Sequence, residues 1–208
     1  MYQDSPHIIR EFDKTIGRLR NEVITMAGQA QVNLERSIQG LMERDIDRCK
    51  LVIADDTEVD ESEQTIDALG MDVLVRFHPV ASDLRLVVSS MKIAANLERI
   101  SDHAVNIAKR AKKMLSRPEL SETALVEPLF EMALGLLKDA MLSFTDRSSE
   151  LGASLRERDK ELDRFHRKLI SEFSSRLEEG GDRAEDFLHL IFVVRSLERV
   201  GDLSVNIG

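Results

Sequence analysis

Cysteine is almost missing from this chain. Cys49 is the single one in 208 residues, so no intrachain disulfide can form and no cysteine cage can hold a metal. That usage fits a reducing, cytoplasmic setting. Tryptophan is absent and aromatic residues make up 4% of the chain. A core must therefore be built from Leu, Ile, Val, Ala and Met, which favours helix bundles over β-sandwiches. Four prolines and ten glycines leave long stretches without a breaker. No apolar run approaches the ~18 residues of a membrane span. The Met1–His7 segment has no basic region followed by an apolar one, so no signal peptide is expected. Membrane insertion is not expected either. The net charge is −9, which argues against a nucleic-acid partner, because such partners need a basic face. There is no Gly-rich phosphate loop, no Gly-x-Ser-x-Gly and no nucleophilic Cys/His pair. The Glu-x-x-His of di-iron bundles is missing too; Asp163-x-x-His166 and Asp186-x-x-His189 come nearest. No anion site is legible.

What the chain does have is a repeat. Leu97-Glu98-Arg99-Ile100-Ser101-Asp102-His103-Ala104-Val105-Asn106-Ile107-Ala108 returns 100 residues later as Leu197-Glu198-Arg199-Val200-Gly201-Asp202-Leu203-Ser204-Val205-Asn206-Ile207-Gly208, with seven of twelve positions identical. Residues four apart share one helix face. Glu98, Asp102 and Asn106 therefore line up, as do Glu198, Asp202 and Asn206. Two carboxylates at i and i+4 repel by roughly a few tenths of a kcal/mol, and a bound cation would offset this. Oxygen ligands suit a hard or borderline metal ion; zinc usually recruits His or Cys. The plainer reading is that Arg99 and Arg199, one turn from the aspartates, neutralise them locally. His103 has Leu203 as its counterpart and reads as a hydrogen-bonded surface residue.

Helical periodicity covers residues 8–43 through Ile9, Phe12, Ile16, Leu19, Val23, Met26, Ala30, Leu34, Ile38 and Leu41. A second helix is expected from Asp45, its N-cap, to Phe77, with Ile46, Cys49, Ile53, Val59, Ile66, Leu69, Val73 and Leu74 on its apolar side. His78-Pro79 ends it. Ser82 or Asp83 should cap a third helix that runs to Leu115 and carries the first motif. Ser116-Arg117-Pro118 is the clearest linker. Beyond it, a helix is expected over Glu119–Gly152 and another over Ser154–Glu179. Gly180-Gly181 breaks the chain, and Asp182 should cap the last helix. The last helix stops at Gly208 inside its pattern, where the first copy runs on from Lys109 to Leu115. A trimmed C-terminus is the expectation.

The acid is concentrated. Asp55, Asp56, Glu58, Asp60, Glu61, Glu63 and Asp67 fall where no Lys or Arg occurs between Lys50 and Arg76. Asp56-Thr-Glu58-Val-Asp60 returns as Asp159-Lys-Glu161-Leu-Asp163. Two matched pairs in one order point to internal duplication. The fold expected is all-α: two tandem antiparallel three-helix bundles, over 1–116 and 117–208. In each, an acidic helix should lie antiparallel to the motif helix. Asp60 then approaches Glu98 and Asp102, and Asp163 approaches Glu198 and Asp202.

Pro79-Val80-Ala81-Ser82-Asp83-Leu84-Arg85, the Asn96–Ile107 run and Arg195-Ser196-Leu197-Glu198-Arg199-Val200-Gly201-Asp202 together resemble the PhoU family, in order and over nearly the whole chain. The resemblance implies two three-helix bundles related by a pseudo-twofold, often forming a homodimer. It implies a cytoplasmic, non-enzymatic negative regulator of phosphate uptake and of the phosphate-starvation response. Such proteins act between the phosphate ABC transporter, with its ATPase subunit, and a phosphate-sensing histidine kinase. They bind metal clusters through the twice-repeated Glu/Asp-x-x-x-Asp motif. That assigns metal to Glu98, Asp102, Glu198 and Asp202, with Asn106 and Asn206 at matching family positions. Two other classes stay open: a helical-bundle metalloenzyme, and a metal-free scaffold working by protein contacts, in which the Asp55–Asp67 run serves a partner.

Overall fold

A computed structural model describes residues 5–208, with side chains from Arg10 onward. The reading placed on the Met1–His7 segment falls in part, and that on the Ile9 side chain wholly, outside what is described. Six α-helices and one short 3-10 segment follow one another: α1 (Ser5–Met42), α2 (Ile46–Phe77), α3 (Ala81–Leu115), the 3-10 turn (Ser121–Val126), α4 (Glu127–Asp146), α5 (Ser149–Glu178) and α6 (Ala184–Ile207). Among the described residues there is no strand, and no helix is long and apolar enough to cross a membrane. Helices α1, α2 and α3 pack on one another, as do α4, α5 and α6. This is the all-α, twice-repeated three-helix architecture expected from the sequence.

The turns follow local chemistry. Asp45 caps α2, its carboxylate accepting from the backbone N–H of Asp47 and Arg48 at 3.0 Å each. His78 closes α2 in the left-handed region (φ 46°), displaced from the right-handed α basin by Pro79. Several boundaries differ from expectation. Helix α3 begins two or three residues earlier, at Ala81, with extended Val80 at its N-cap, so neither Ser82 nor Asp83 caps it. Helix α4 begins at Glu127 rather than Glu119, because Pro128 belongs in a first turn and a 3-10 segment precedes it. Helix α4 also ends at Asp146, and α5 begins at Ser149. Arg147 takes the left-handed conformation there, and Ser148 caps α5 by accepting from the Leu151 N–H. Gly180 and Gly181 supply the expected break with positive φ, but Arg183 precedes α6 and Asp182 makes no cap.

The core is built as the composition requires. Leu97, Ile100, Ala104 and Ile107 of the first motif are fully buried, and Leu197, Val200, Ser204 and Ile207 of the second are buried in the same places. Ile46, expected on the apolar side of α2, is exposed, and Val52 is buried instead. Leu125 of the 3-10 turn is exposed as well. The two bundles share one core through α3 and α6. These helices run antiparallel: Arg110 of α3 lies over the Phe192 ring of α6 at 4.0 Å, while Arg199 acts on His103. Helix α1 is also tied to α4, where Arg20 donates to the Thr145 carbonyl and Lys138 approaches Glu35 at 3.6 Å. At the junction, Arg44 donates to the carbonyls of Leu115 and Arg117.

Because Leu97 is fully buried in this shared core, Leu97→Ala is expected to cost about 2–5 kcal/mol in unfolding free energy. Exposed Arg99→Ala should stay within about 0.5 kcal/mol. Urea denaturation of both variants checks this; a Leu97→Ala cost below that of Arg99→Ala would refute the placement of the motif.

Candidate functional site

The acidic helix is positioned by a seven-residue apolar seam. Val52, Val59, Ile66 and Val73 of α2 are buried to 1% exposure or less. Leu155, Leu162 and Leu169 repeat the spacing on α5 and are buried as well, to 2% exposure or less. A seven-residue repeat keeps one stripe of a helix against its neighbour. The acids sit one and four positions after the seam residues: Asp56, Asp60 and Glu63 on α2, Asp159 and Asp163 on α5. They therefore flank the buried stripe where α2 meets α3 and α5 meets α6. Glu98 on α3 and Glu198 on α6 directly follow buried Leu97 and Leu197 and are half-buried beside the same seams.

Acids from two helices thus face one another in each bundle. In the first, burial pushes the Glu98 carboxyl up to about 6, helped by Asp102, Glu63, Asp60 and Asp56. Every charge acting on it is negative. Asp56 is likewise raised, by burial first and then by Asp102 and Asp60. Glu63 is raised by burial and by Asp67 and Asp60. In the second bundle Asp159 is raised by burial, Asp163 and Asp202. Glu198 is raised by burial and by Asp202, against the opposing charge of Arg199. Asp60 acts on Glu98 and Asp163 on Glu198, each across two helices.

Sequence reasoning passed over Asp56, Glu63 and Asp159 as site members. Asp56 and Asp159 stood in plain view as the first letters of the repeated acidic run. Also missed was a polar relay behind the first site. Buried Asn33 of α1 donates to Ser101 Oγ at 3.2 Å, and Ser101 Oγ donates to Asp56 Oδ1 at 3.4 Å. The second motif has Gly201 where the first has Ser101. A Cβ there would sit 3.0 Å from Leu162 Cδ1 and 3.2 Å from Asp159 Oδ1. Gly201 so lets α5 come close, and it leaves Asp159 Oδ1 buried without a hydrogen-bond partner.

Asn106 and Asn206 are exposed. Asn106 lines an open concavity with Lys109, Arg110, Lys112 and Lys113, one turn beyond the acids. His103 is half-buried rather than a hydrogen-bonded surface residue, and its Nδ1 has no partner. Asp186 is no candidate ligand: at 1% exposure it is held by Arg183 at 2.8 Å and Arg117 at 3.5 Å.

The donor set suits a cation. It is all oxygen, it comes from two helices, and in the second bundle it includes an orphaned buried carboxylate oxygen. Among the described residues no three His, Cys, Asp or Glu side chains form a ready-made cage. A cation entering there would offset the repulsion among these carboxylates and draw them closer.

The PhoU domain model matches residues 23–111 and 126–208, once in each bundle. The chain belongs to the PhoU family. A Rhizobium meliloti protein described as a phosphate-specific transport system accessory protein PhoU homolog is 33% identical over 203 residues, covering 97% of this chain and 86% of its own. A Xylella fastidiosa protein of the same description is 30% identical over 202 residues, covering 97% and 84%. The crystal structure of PhoU from Pseudomonas aeruginosa superposes with a TM-score of 0.91 at 27% identity, covering 94% of each chain. PhoU from Streptococcus pneumoniae shares the fold at a TM-score of 0.86 and 21% identity, over 94% of this chain and 92% of its own.

Glu98 gives a pH signature. Its carboxyl rises from 4.5 to about 6 on folding, so between those values the folded, metal-free protein holds a proton that the unfolded chain releases. Stability from this group is therefore full below about pH 4.5 and falls as the pH climbs to about 6. In a chelator, Glu98→Gln should flatten that part of the melting-temperature profile. Superimposable profiles for parent and variant between pH 4.5 and 6 would show that Glu98 feels no such crowding.

Proposed function

We propose that this PhoU-family protein is a non-enzymatic regulator of phosphate homeostasis. It links the ATPase subunit of a phosphate ABC transporter to a phosphate-sensing histidine kinase, and lowers both uptake and the starvation response when phosphate is plentiful. Family membership along both repeats carries the reading, because relatives aligned over 97% of the chain are described as accessory proteins of phosphate-specific transport. An adaptor of this kind works in the cytoplasm, on the face where transporter ATPase and kinase domains lie, and as a homodimer offers each partner two copies of its surface.

Metal ions complete the proposal. Glu98 and Asp102 with Asp56 and Asp60 would hold a cation in the first bundle, and Glu198 and Asp202 with Asp159 and Asp163 in the second. A divalent or iron-type cation there would supply charge neutralisation rather than chemistry. It would clamp α2 to α3 and α5 to α6, fixing the surface that a partner reads. A scaffold that needs no metal is the second reading, favoured by the absence of a ready-made cage among the described residues.

Elemental analysis of protein purified without chelator separates the two. Metal is expected in the parent and absent from a folded Glu98→Gln, Asp102→Asn, Glu198→Gln, Asp202→Asn variant. Chelation should lower the melting temperature of the parent only, as ligand release from the native state requires. Metal-free parent protein, even after reconstitution, would leave the scaffold reading standing. For the regulatory role, deleting the gene should raise a starvation-response reporter in phosphate-rich medium; an unchanged reporter would count against it.

A further inference from the structure

The two carboxylate clusters are not equivalent, although the motifs that build them are nearly identical. In the second bundle Arg199 lies across its own motif. Its Nη1 donates to Asp202 Oδ2 at 2.8 Å, and its Nε stands 3.4 Å from Glu198 Oε2. One guanidinium thus serves both motif acids. Arg99 holds the same position in the first motif, yet among the described residues it pairs with neither Glu98 nor Asp102. Its charge is felt by His103, as is that of Arg199, while the charges acting on Glu98 are four acids and no base. The surrounding residues widen the difference. Glu63 adds a fifth acid to the first cluster, and His166 occupies its place in the second, three positions after Asp163 as Glu63 follows Asp60.

We infer that Arg199 is a built-in counter-ion that occupies the second cluster, so that the first cluster is the primary site for a divalent cation and the second loads only when Arg199 swings away. The inference rests on the metal reading above for its ligand, and on the ion pairs alone for the role of Arg199. Its physics is charge balance. The first cluster joins five carboxylates, Asp56, Asp60, Glu63, Glu98 and Asp102; Lys109 acts on Asp56, and among the described residues no base forms an ion pair with Glu98 or Asp102. The second joins four, Asp159, Asp163, Glu198 and Asp202, with one arginine in direct contact. A divalent ion entering the second cluster must displace a cation already there; in the first it meets none. The Arg199 side chain is 56% exposed, so its ion pairs are of the solvent-screened kind and release easily. It sets an order of filling and does not seal the site.

Two measurements test this. In chelator, Arg199→Gln should lower the melting temperature by roughly 1–3 °C, through unscreened repulsion between Glu198 and Asp202. Arg99→Gln should leave it unchanged. Equal shifts for the two variants overturn the assignment of Arg199 as counter-ion. The second measurement is manganese(II) titration by calorimetry, one cluster at a time. With the first cluster removed by Glu98→Gln and Asp102→Asn, adding Arg199→Gln should tighten manganese binding about fivefold. With the second removed by Glu198→Gln and Asp202→Asn, binding should be tighter than in the first case, and Arg99→Gln should not change it. Manganese binding that is indifferent to Arg199→Gln overturns the inference and leaves the metal reading intact. A parent protein that takes up no manganese refutes the metal reading itself, and the order of filling with it. The melting comparison in chelator then still decides, by itself, whether Arg199 neutralises its motif.

Discussion

Like charge pressed together by apolar packing is the constraint on which this structure turns. The seams of α2 on α3 and α5 on α6 are closed by Val, Ile and Leu side chains that have left water almost completely. Burial of that kind is worth about 1.5–3 kcal/mol per side chain. The carboxylates beside the seams repel by far less, roughly a few tenths of a kcal/mol for a pair on a helix surface. Packing therefore wins, and the acids are held close whether or not they favour it. The Glu98 carboxyl is raised by its burial beside the seam first, and by the neighbouring acids after that.

Much of this was readable in the sequence. The repeated motif, the repeated acidic run, the Gly180-Gly181 break and the His78-Pro79 stop fixed the number and order of helices. Boundaries set by a single backbone choice were harder. Arg147 in the left-handed region gives no advance notice, and Ser148 looks like any of the serines around it. The α2 seam was partly legible: Val59, Ile66 and Val73 were on the expected apolar side, but Val52 was not, because neighbouring Ile53 suits a strict 3.6-residue count equally well. Asp56 and Asp159 were overlooked as site members for a similar reason. Their membership depends on how closely α2 and α5 approach the motif helices, which is set by Ser101 in one repeat and Gly201 in the other.

The unequal behaviour of Arg99 and Arg199 was not legible at all. Both occupy the same letter of the same motif. Their surroundings differ as well: Glu63 follows Asp60 in the first repeat, where His166 follows Asp163 in the second. Duplicated sequence therefore supplies two sites of common design, and a few unmatched neighbours give them separate characters.

Helices α3 and α6 lie side by side, antiparallel, at the centre of one continuous core. A polypeptide comprising just one repeat would leave the flank of its motif helix bare. The simplest cover for that flank is the same helix from a second copy, packed in the reverse direction. A forebear with a single repeat would need such a partner, and duplication would join the two halves of that interface in one chain. Once both sides belonged to one gene, nothing obliged them to stay alike.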